Sequence, residues 1–223
     1  DTSMRRFQRA LPEVAWTGVR DATRFGASAP QRGDADRQPT GEDCLFLNVY
    51  TPALRDGGKR PVLFYIHGGG YNNGSGSSPL YNGVNLCRRG DVVVVTVNHR
   101  LNLFGYLYLG DFGFSDFAES GNVGQLDLIQ ALHWLREHAH EFGADANNVT
   151  VFGQSGGGAK IATLMAMPEA DGLFHKAMTM SGQQVTAAGP RAASQRSELL
   201  LGALGLKPEQ LEQLRDIPMQ RLL

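Results

Sequence analysis

Two uninterrupted apolar runs constrain the fold of this chain more than any other feature. The segments VLFYI at 62–66 and DVVVVTVN at 91–98 are rich in β-branched residues and do not alternate polar with apolar positions. Runs of this kind are typical of strands that are buried on both faces, as in a parallel sheet covered by helices. We therefore expect helices on both sides of a central sheet.

The remaining sequence supplies strands and helices in alternation. Further β-rich runs lie at 44–50, 148–152 and 175–181. A helix is predicted over 124–140, where leucines recur at helical spacing. A second helix is predicted from Gly156 and should end before Pro168. Strands that alternate with helices predict an α/β fold with a mostly parallel sheet.

The two ends of the chain differ in composition from its middle. Residues 1–41 are rich in Arg, Pro, Gly and Asp and lack periodicity, so they are predicted to be an irregular covering segment. Residues 42–190 then form the sheet core. Residues 191–223 are predicted to be two short helices that begin a helical cap, with Pro208 near the first turn of the second.

Composition excludes several classes of partner. The 223 residues carry a formal net charge of −1, and the basic residues are scattered, which argues against nucleic-acid or anionic-membrane binding. No apolar run reaches the roughly 18 residues that a membrane span needs, so a soluble chain without a membrane partner is expected. Cys44 and Cys87 are too few for a disulfide framework and are predicted to be reduced. That, and the lack of a signal-peptide pattern, favours a cytoplasmic location.

The stretch GQSGG at 153–157 has the pattern G-x-S-x-G between a predicted strand and a predicted helix. In that context the serine stands on a sharp turn at the carboxyl edge of the sheet, where the helix N-terminus favours developing negative charge. A flexible glycine turn and a phosphate-binding loop are alternatives. The phosphate loop fails because Lys160 is followed by Ile161 rather than by Ser or Thr. Ser155 is therefore predicted to be a nucleophile.

Three glycines follow the strand at 62–66, in the segment HGGGY at 67–71. Their N–H groups carry no blocking side chain, and each donor to a developing oxyanion contributes roughly 3 to 4 kcal/mol. With the residue after the nucleophile, they predict an oxyanion hole made of Gly69, Gly70 and Gly156. Alone, HGGG could be an ordinary loop; the serine motif downstream favours the oxyanion role. His67 is expected to hold this loop by a hydrogen bond.

In these motifs and their order, the chain resembles the type-B carboxylesterases, the cholinesterase and carboxylesterase branch of the α/β-hydrolases. The matching segments run in family order over nearly the whole chain: RFQRALPEVAW (6–16), GEDCLFLNVYTP (41–52), HGGGY (67–71), VTVNHRLNLFGYL (95–107), GNVGQLDLIQALHWL (121–135), FGADANNVTVFGQSGGG (142–158) and MSG (180–182). The resemblance implies an α/β-hydrolase fold and hydrolysis of a small-molecule carboxylic ester through an acyl-serine, without metal or organic cofactor. It also implies that Ser181 hydrogen-bonds the catalytic acid and that Arg6 and Glu42 form an ion pair.

The chain departs from the family pattern in its cysteines and in its serine motif. Ala29 stands where the family often has the disulfide partner of Cys44, and Cys87 matches no bridge position of the family. The family usually has G-E-S-A-G around the nucleophile. Here Gln154 replaces the glutamate and so removes a negative charge beside Ser155; Gln154 is predicted to support the serine. Gly156 replaces the alanine, keeps an N–H group that can donate, and loosens the turn.

A third departure concerns the catalytic triad. Related hydrolases present it in the order Ser, Asp or Glu, His. The one histidine that follows Ser155 is His175. It lies at the start of the next predicted strand, which is the wrong place for a general base. We therefore expect an internal portion of an esterase, without the first strands and the last strands with their catalytic loops. The triad histidine and acid would come from outside the chain, for instance from the remaining part of the hydrolase as a second chain.

Three alternatives remain open on the sequence. The chain could be a non-catalytic interaction module with the same fold, because some relatives are adhesion proteins. It could also be an inactive fragment of an esterase. The same machinery could hydrolyse thioesters or amides.

Overall fold

The computed structural model describes residues 5–33, 39–183 and 186–223, which form an α/β structure around one five-stranded sheet. Its strands are β1 (Leu47–Tyr50), β2 (Arg60–Ile66), β3 (Val93–Val97), β4 (Ala144–Gln154) and β5 (Lys176–Met180). They lie in the order β1-β3-β2-β4-β5. All neighbours pair in parallel except β1, which is antiparallel to β3 at one edge. The predicted α/β fold with a mostly parallel sheet is confirmed.

Helices connect and follow these strands. They are α1 (Val84–Gly90), α2 (Asn102–Tyr106), α3 (Val123–His138), α4 (Gly156–Leu164), α5 (Pro190–Leu204) and α6 (Met219–Leu222). The helices predicted at 124–140 and from Gly156 are α3 and α4. The first predicted tail helix, at 191–205, is α5, which is shifted by one residue at each end. The second predicted tail helix is present as a 3₁₀ helix at Pro208–Arg215.

The main core lies between the central strands and their helices. All five residues of β3 are buried, as the uninterrupted apolar run predicted. Leucines of α3 and the apolar residues Ile161 and Leu164 of α4 belong to the same core cluster as β2, β3 and β4. Burial of this apolar surface stabilises the sheet. Strands β2 and β4, which lead into the two predicted motifs, are both part of this core.

A second core joins both ends of the chain. Phe7 packs with aromatic residues that follow β3 and with leucines from α5 and the C-terminal turns. The predicted ion pair of Arg6 and Glu42 is present, and Arg6 also donates to the carbonyls of Leu214 (2.8 Å) and Ile217 (2.6 Å). Arg6 and Phe7 thus tie the N-terminal part of the chain to the C-terminal helices as well as to the residues leading into β1.

A buried salt bridge fastens the end of β3 to α3. Arg100 donates to Asp127 through Nε (2.8 Å) and Nη2 (2.6 Å), and its backbone N–H donates to the same carboxylate (3.0 Å). Both side chains are almost fully buried, at 3% and 0% exposure. Each charge therefore depends on the other, because an unpaired buried charge is strongly unfavourable.

We expect Asp127→Asn to lower the free energy of unfolding by about 3–5 kcal/mol, because it leaves the Arg100 guanidinium buried without its counter-ion. Urea unfolding followed by circular dichroism measures the change. Arg55→Met removes the matched exposed pair with Glu141, where Arg55 is 76% exposed, and should cost less than about 1 kcal/mol. Equal effects of the two substitutions would contradict the assignment of the buried pair.

Both cysteines are free and buried, so the predicted reduced state of Cys44 and Cys87 is confirmed. Burial raises the pKa of the Cys44 thiol.

Within the described ranges, no helix is long and apolar enough to cross a membrane. The same ranges contain no group of three or more His, Cys, Asp or Glu side chains arranged to hold a metal ion.

Candidate active site

The two predicted motifs meet at the carboxyl ends of two neighbouring strands. β2 and β4 pair in parallel, with Ile66 opposite Gly153. The chain leaves β2 for β3 on one side and then returns to β4 on the other side of β2. Ligands of open α/β sheets bind where the strand order reverses in this way. The topology therefore places the HGGG segment directly beside Ser155.

Ser155 occupies a strained turn between β4 and α4. Its backbone angles, φ 55° and ψ −122°, lie outside the regions that an L-amino acid adopts readily. Its N–H donates to the carbonyl of Met180 in β5 (2.7 Å), and its carbonyl accepts from Ala159 in α4 (3.0 Å). Strain of this kind persists only when the surroundings hold it, and it concentrates at functional sites. The serine side chain remains partly exposed at the edge of the sheet.

Glycines make this turn possible by allowing very close backbone approach. A Cβ atom at Gly157 would lie 2.0 Å from the carbonyl oxygen of Ile66, and one at Gly182 would lie 1.9 Å from that of Ser155. Both distances are far inside van der Waals contact. The first residues of α4, the end of β2 and the loop after β5 thus pack around Ser155 in a way that any side chain at these glycines would prevent.

The structure brings the predicted oxyanion glycines together. Gly69 and Gly70 adopt φ of 92° and 61°, which favour glycine. A Cβ atom at Gly156 would lie 2.6 Å from the Cα atom of Gly70, so the loop after β2 touches the start of α4. No acceptor among the described residues takes the N–H of Gly69, Gly70 or Gly156. Unpaired N–H groups beside the predicted nucleophile are what an oxyanion hole requires.

His67 holds the glycine loop, as the sequence predicted. Its Nδ1 lies 2.9 Å from the carbonyl oxygen of Gly68 and must be the donor, since the carbonyl can only accept. Its ring stacks on His99 at 4.5 Å between centroids. Burial lowers the pKa of His67 to about 4, so the ring is neutral near pH 7. The His99 ring is also buried, and its pKa is lowered for the same reason.

No described residue supplies a hydrogen-bond partner to the Ser155 hydroxyl. His175 lies at the opposite end of the sheet, where its Nδ1 accepts from the N–H of Val149 (3.2 Å). From Val149 to Ser155 the strand advances roughly 20 Å, at about 3.3 Å per residue. His175 therefore cannot reach the serine, as expected from its place in the sequence. The other histidines belong to α3 and the turn after it: His133, His138 and His140.

The two predicted supporting residues are both exposed. Gln154 is the last residue of β4 and pairs with Met180 of β5. Ser181 follows Met180 with φ 55°, and no carboxylate among the described residues bonds to it. Their supporting roles stay predictions, since the acid that Ser181 would bind is not among these residues.

A buried lysine beside the predicted oxyanion glycines was not anticipated from the sequence. Lys160 has no solvent exposure, and burial lowers the pKa of its ammonium to about 7. Its Nζ donates to the carbonyl of Gly70. From the sequence, Lys160 served only to exclude a phosphate-binding loop. The available signal was that α4 carries one charged residue in an otherwise uncharged segment, GGGAKIATL.

Comparison with known proteins identifies the family. The model of the carboxylesterase family matches residues 2–223. Para-nitrobenzyl esterase of Bacillus subtilis (strain 168) is 43% identical over 98% of this chain and 45% of its own length. Phenmedipham hydrolase of Pseudarthrobacter oxydans is 40% identical over 98% of this chain and 44% of its own length.

A solved structure agrees with these sequence relatives. A carboxylesterase of Geobacillus stearothermophilus superposes with a TM-score of 0.92 and 45% identity over 99% of this chain and 45% of its own. The chain thus spans a little under half the length of the relatives that it matches. It belongs to the carboxylesterase family and has the α/β-hydrolase fold of that family's esterases.

Proposed function

We propose that the hydrolase containing this chain cleaves carboxylic esters through an acyl-serine intermediate on Ser155. One observation carries the proposal: Ser155 stands on a strained strand-to-helix turn beside the glycines 69, 70 and 156, whose N–H groups have no acceptor among the described residues. This combination is what acyl transfer by a serine requires. The names of the relatives, an esterase and a hydrolase, support the same reaction class.

The reaction proceeds in two halves. The Ser155 hydroxyl attacks the ester carbonyl carbon while a histidine takes its proton, and the carbonyl oxygen becomes an oxyanion that the N–H groups of Gly69, Gly70 and Gly156 bind. The intermediate then collapses, and the alcohol leaves with the proton from the histidine. Water, activated by the same histidine, attacks the acyl-serine and releases the carboxylic acid.

The histidine and its carboxylate partner come from outside these 223 residues. The Ser155 hydroxyl has no hydrogen-bond partner among the described residues, and His175 lies at the far end of the sheet. We therefore propose the remaining part of the same hydrolase as the partner of this chain. We call the two together the complete hydrolase.

The substrate that we propose is a small carboxylic ester. The chain has almost no net charge, and Gln154 places a neutral amide rather than a carboxylate next to the nucleophile. The non-catalytic alternative is not favoured, because the strained serine and its neighbouring glycines are retained.

Pre-steady-state hydrolysis of p-nitrophenyl acetate by the complete hydrolase tests the proposal. We expect a burst of p-nitrophenol equal to the enzyme concentration, because acylation releases the alcohol before the acyl-serine is hydrolysed. The matched amide, p-nitroacetanilide, and an acetyl thioester separate ester hydrolysis from the other two acyl transfers. Absence of ester turnover by a folded complete hydrolase would refute the proposal, and faster turnover of the amide or thioester would reassign its substrate class.

A further inference from the structure

Lys160 is a buried cation that the proposed mechanism does not use. It lies in the second turn of α4 and has no solvent exposure. An isolated charge in such a place is strongly unfavourable unless other groups replace its hydration. No carboxylate among the described residues pairs with it. The groups that stabilise the ammonium must therefore be uncharged.

Those groups are two carbonyls and an aromatic ring. Lys160 Nζ donates to the carbonyl of Gly70 and lies 3.4 Å from that of Gly156. It also lies 4.6 Å from the centroid of the Tyr71 ring, within the range of a cation–π interaction. Gly70 belongs to the loop after β2, whereas Gly156 begins α4. A single ammonium thus bridges the two elements that carry the oxyanion glycines.

This contact depends on the glycine at position 156. A Cβ atom there would lie 2.3 Å from the carbonyl oxygen of Gly70, the same atom that accepts from Lys160. The serine motif of the family usually has alanine at this position, so the departure to glycine makes room for the Gly70 carbonyl. The small residue opens the space, and the lysine holds the carbonyl in it.

We propose that Lys160 is a positioning residue that fixes the oxyanion hole by holding Gly70 and Gly156 against each other. The inference rests on the proposed ester hydrolysis. An oxyanion hole is effective because its donors are oriented before the reaction and need not reorganise. Lys160 supplies that orientation from behind the hole, and its positive charge further favours the oxyanion.

The protonation of Lys160 should consequently affect catalysis. The titratable groups that face it are the imidazoles of His67 and His99, which burial keeps neutral near pH 7, and the phenol of Tyr71, which burial keeps protonated. Burial lowers the pKa of Lys160 itself to about 7. The ammonium is present below this pKa and is lost as the pH rises through it. The plot of kcat against pH should therefore have a descending limb above neutral pH.

The test compares Lys160→Met with the wild-type complete hydrolase on p-nitrophenyl acetate from pH 6 to pH 9. We expect kcat at pH 6.5 to fall about 10- to 100-fold, somewhat less than the loss of a direct oxyanion donor, with KM changed less than about threefold. We also expect the descending limb to disappear. Lys207→Met, a matched change at an exposed lysine, should leave kcat and the pH profile unchanged. Unchanged kcat and an unchanged limb in Lys160→Met would overturn the inference.

Gly156→Ala provides a second test that retains Lys160, should Lys160→Met not fold. The added methyl group displaces the Gly70 carbonyl, so kcat should fall and the descending limb should weaken. Where Lys160→Met folds, the double variant should be no slower than the slower single variant by more than about threefold, because the two changes break one contact. Fully multiplicative effects, or full activity in Gly156→Ala, would overturn the inference. No turnover by the wild type would instead refute the proposed function, and this inference with it.

Discussion

Replacing Ser155 with alanine in the complete hydrolase should lower kcat on p-nitrophenyl acetate by about 10⁴- to 10⁶-fold, the range found when a triad serine is removed. The acyl intermediate cannot form without the hydroxyl, whereas the oxyanion glycines still bind the substrate. KM should therefore change far less than kcat. Steady-state kinetics measures both values, and active-site burst amplitude should fall to zero.

The variant should remain folded, since alanine keeps the same backbone demand at φ 55° and removes only one partly exposed hydroxyl. Circular dichroism and the urea midpoint should match the wild type. Ser115→Ala changes an exposed serine outside the site and should leave kcat unaltered. Full activity in a folded Ser155→Ala variant would show that another group is the nucleophile.

The 223-residue chain alone should hydrolyse the same ester at least about 10³-fold more slowly than the complete hydrolase, because a serine without its base is a weak nucleophile. No histidine among the described residues is bonded to Ser155, and His175 is held at the start of β5 by Val149. Addition of the separately prepared remaining part should restore turnover. Kinetics with and without that part measures the difference.

The chain alone should also associate in solution. β5 lies at the edge of the described sheet, and its Met178 side chain is 49% exposed. An exposed strand edge pairs readily with another chain, so size-exclusion chromatography should show aggregates. Robust turnover by a monodisperse preparation of the 223 residues would contradict both expectations and would show that a group within these residues activates Ser155.

The central sheet and the serine turn were predictable because their signals are local. The runs at 62–66 and 91–98 contain only residues that a doubly buried strand accepts, and they became β2 and β3. The serine motif combines a strand, a glycine turn and a helix within a dozen residues, which fixes the strained geometry of Ser155. His67 could be assigned to the loop because a buried polar group next to free carbonyls needs a partner.

The features that the sequence did not reveal depend on distant contacts. Lys160 reaches Gly70 only because β2 and β4 are neighbours, across 90 residues of chain. The segment at 207–217 indicated a short helix but not its type, and the structure has a 3₁₀ helix at Pro208–Arg215. Its two buried leucines, Leu211 and Leu214, are three residues apart and so lie on one side of a helix with three residues per turn.

Covalent labelling of the complete hydrolase tests most directly whether Ser155 is the nucleophile. The enzyme is treated with a fluorophosphonate, which phosphonylates an activated serine, and the adduct is mapped by mass spectrometry of its peptides. We expect one adduct per molecule, on Ser155, formed in step with the loss of ester turnover. An adduct on a different residue, or turnover that is lost while Ser155 stays unmodified, would contradict the assignment.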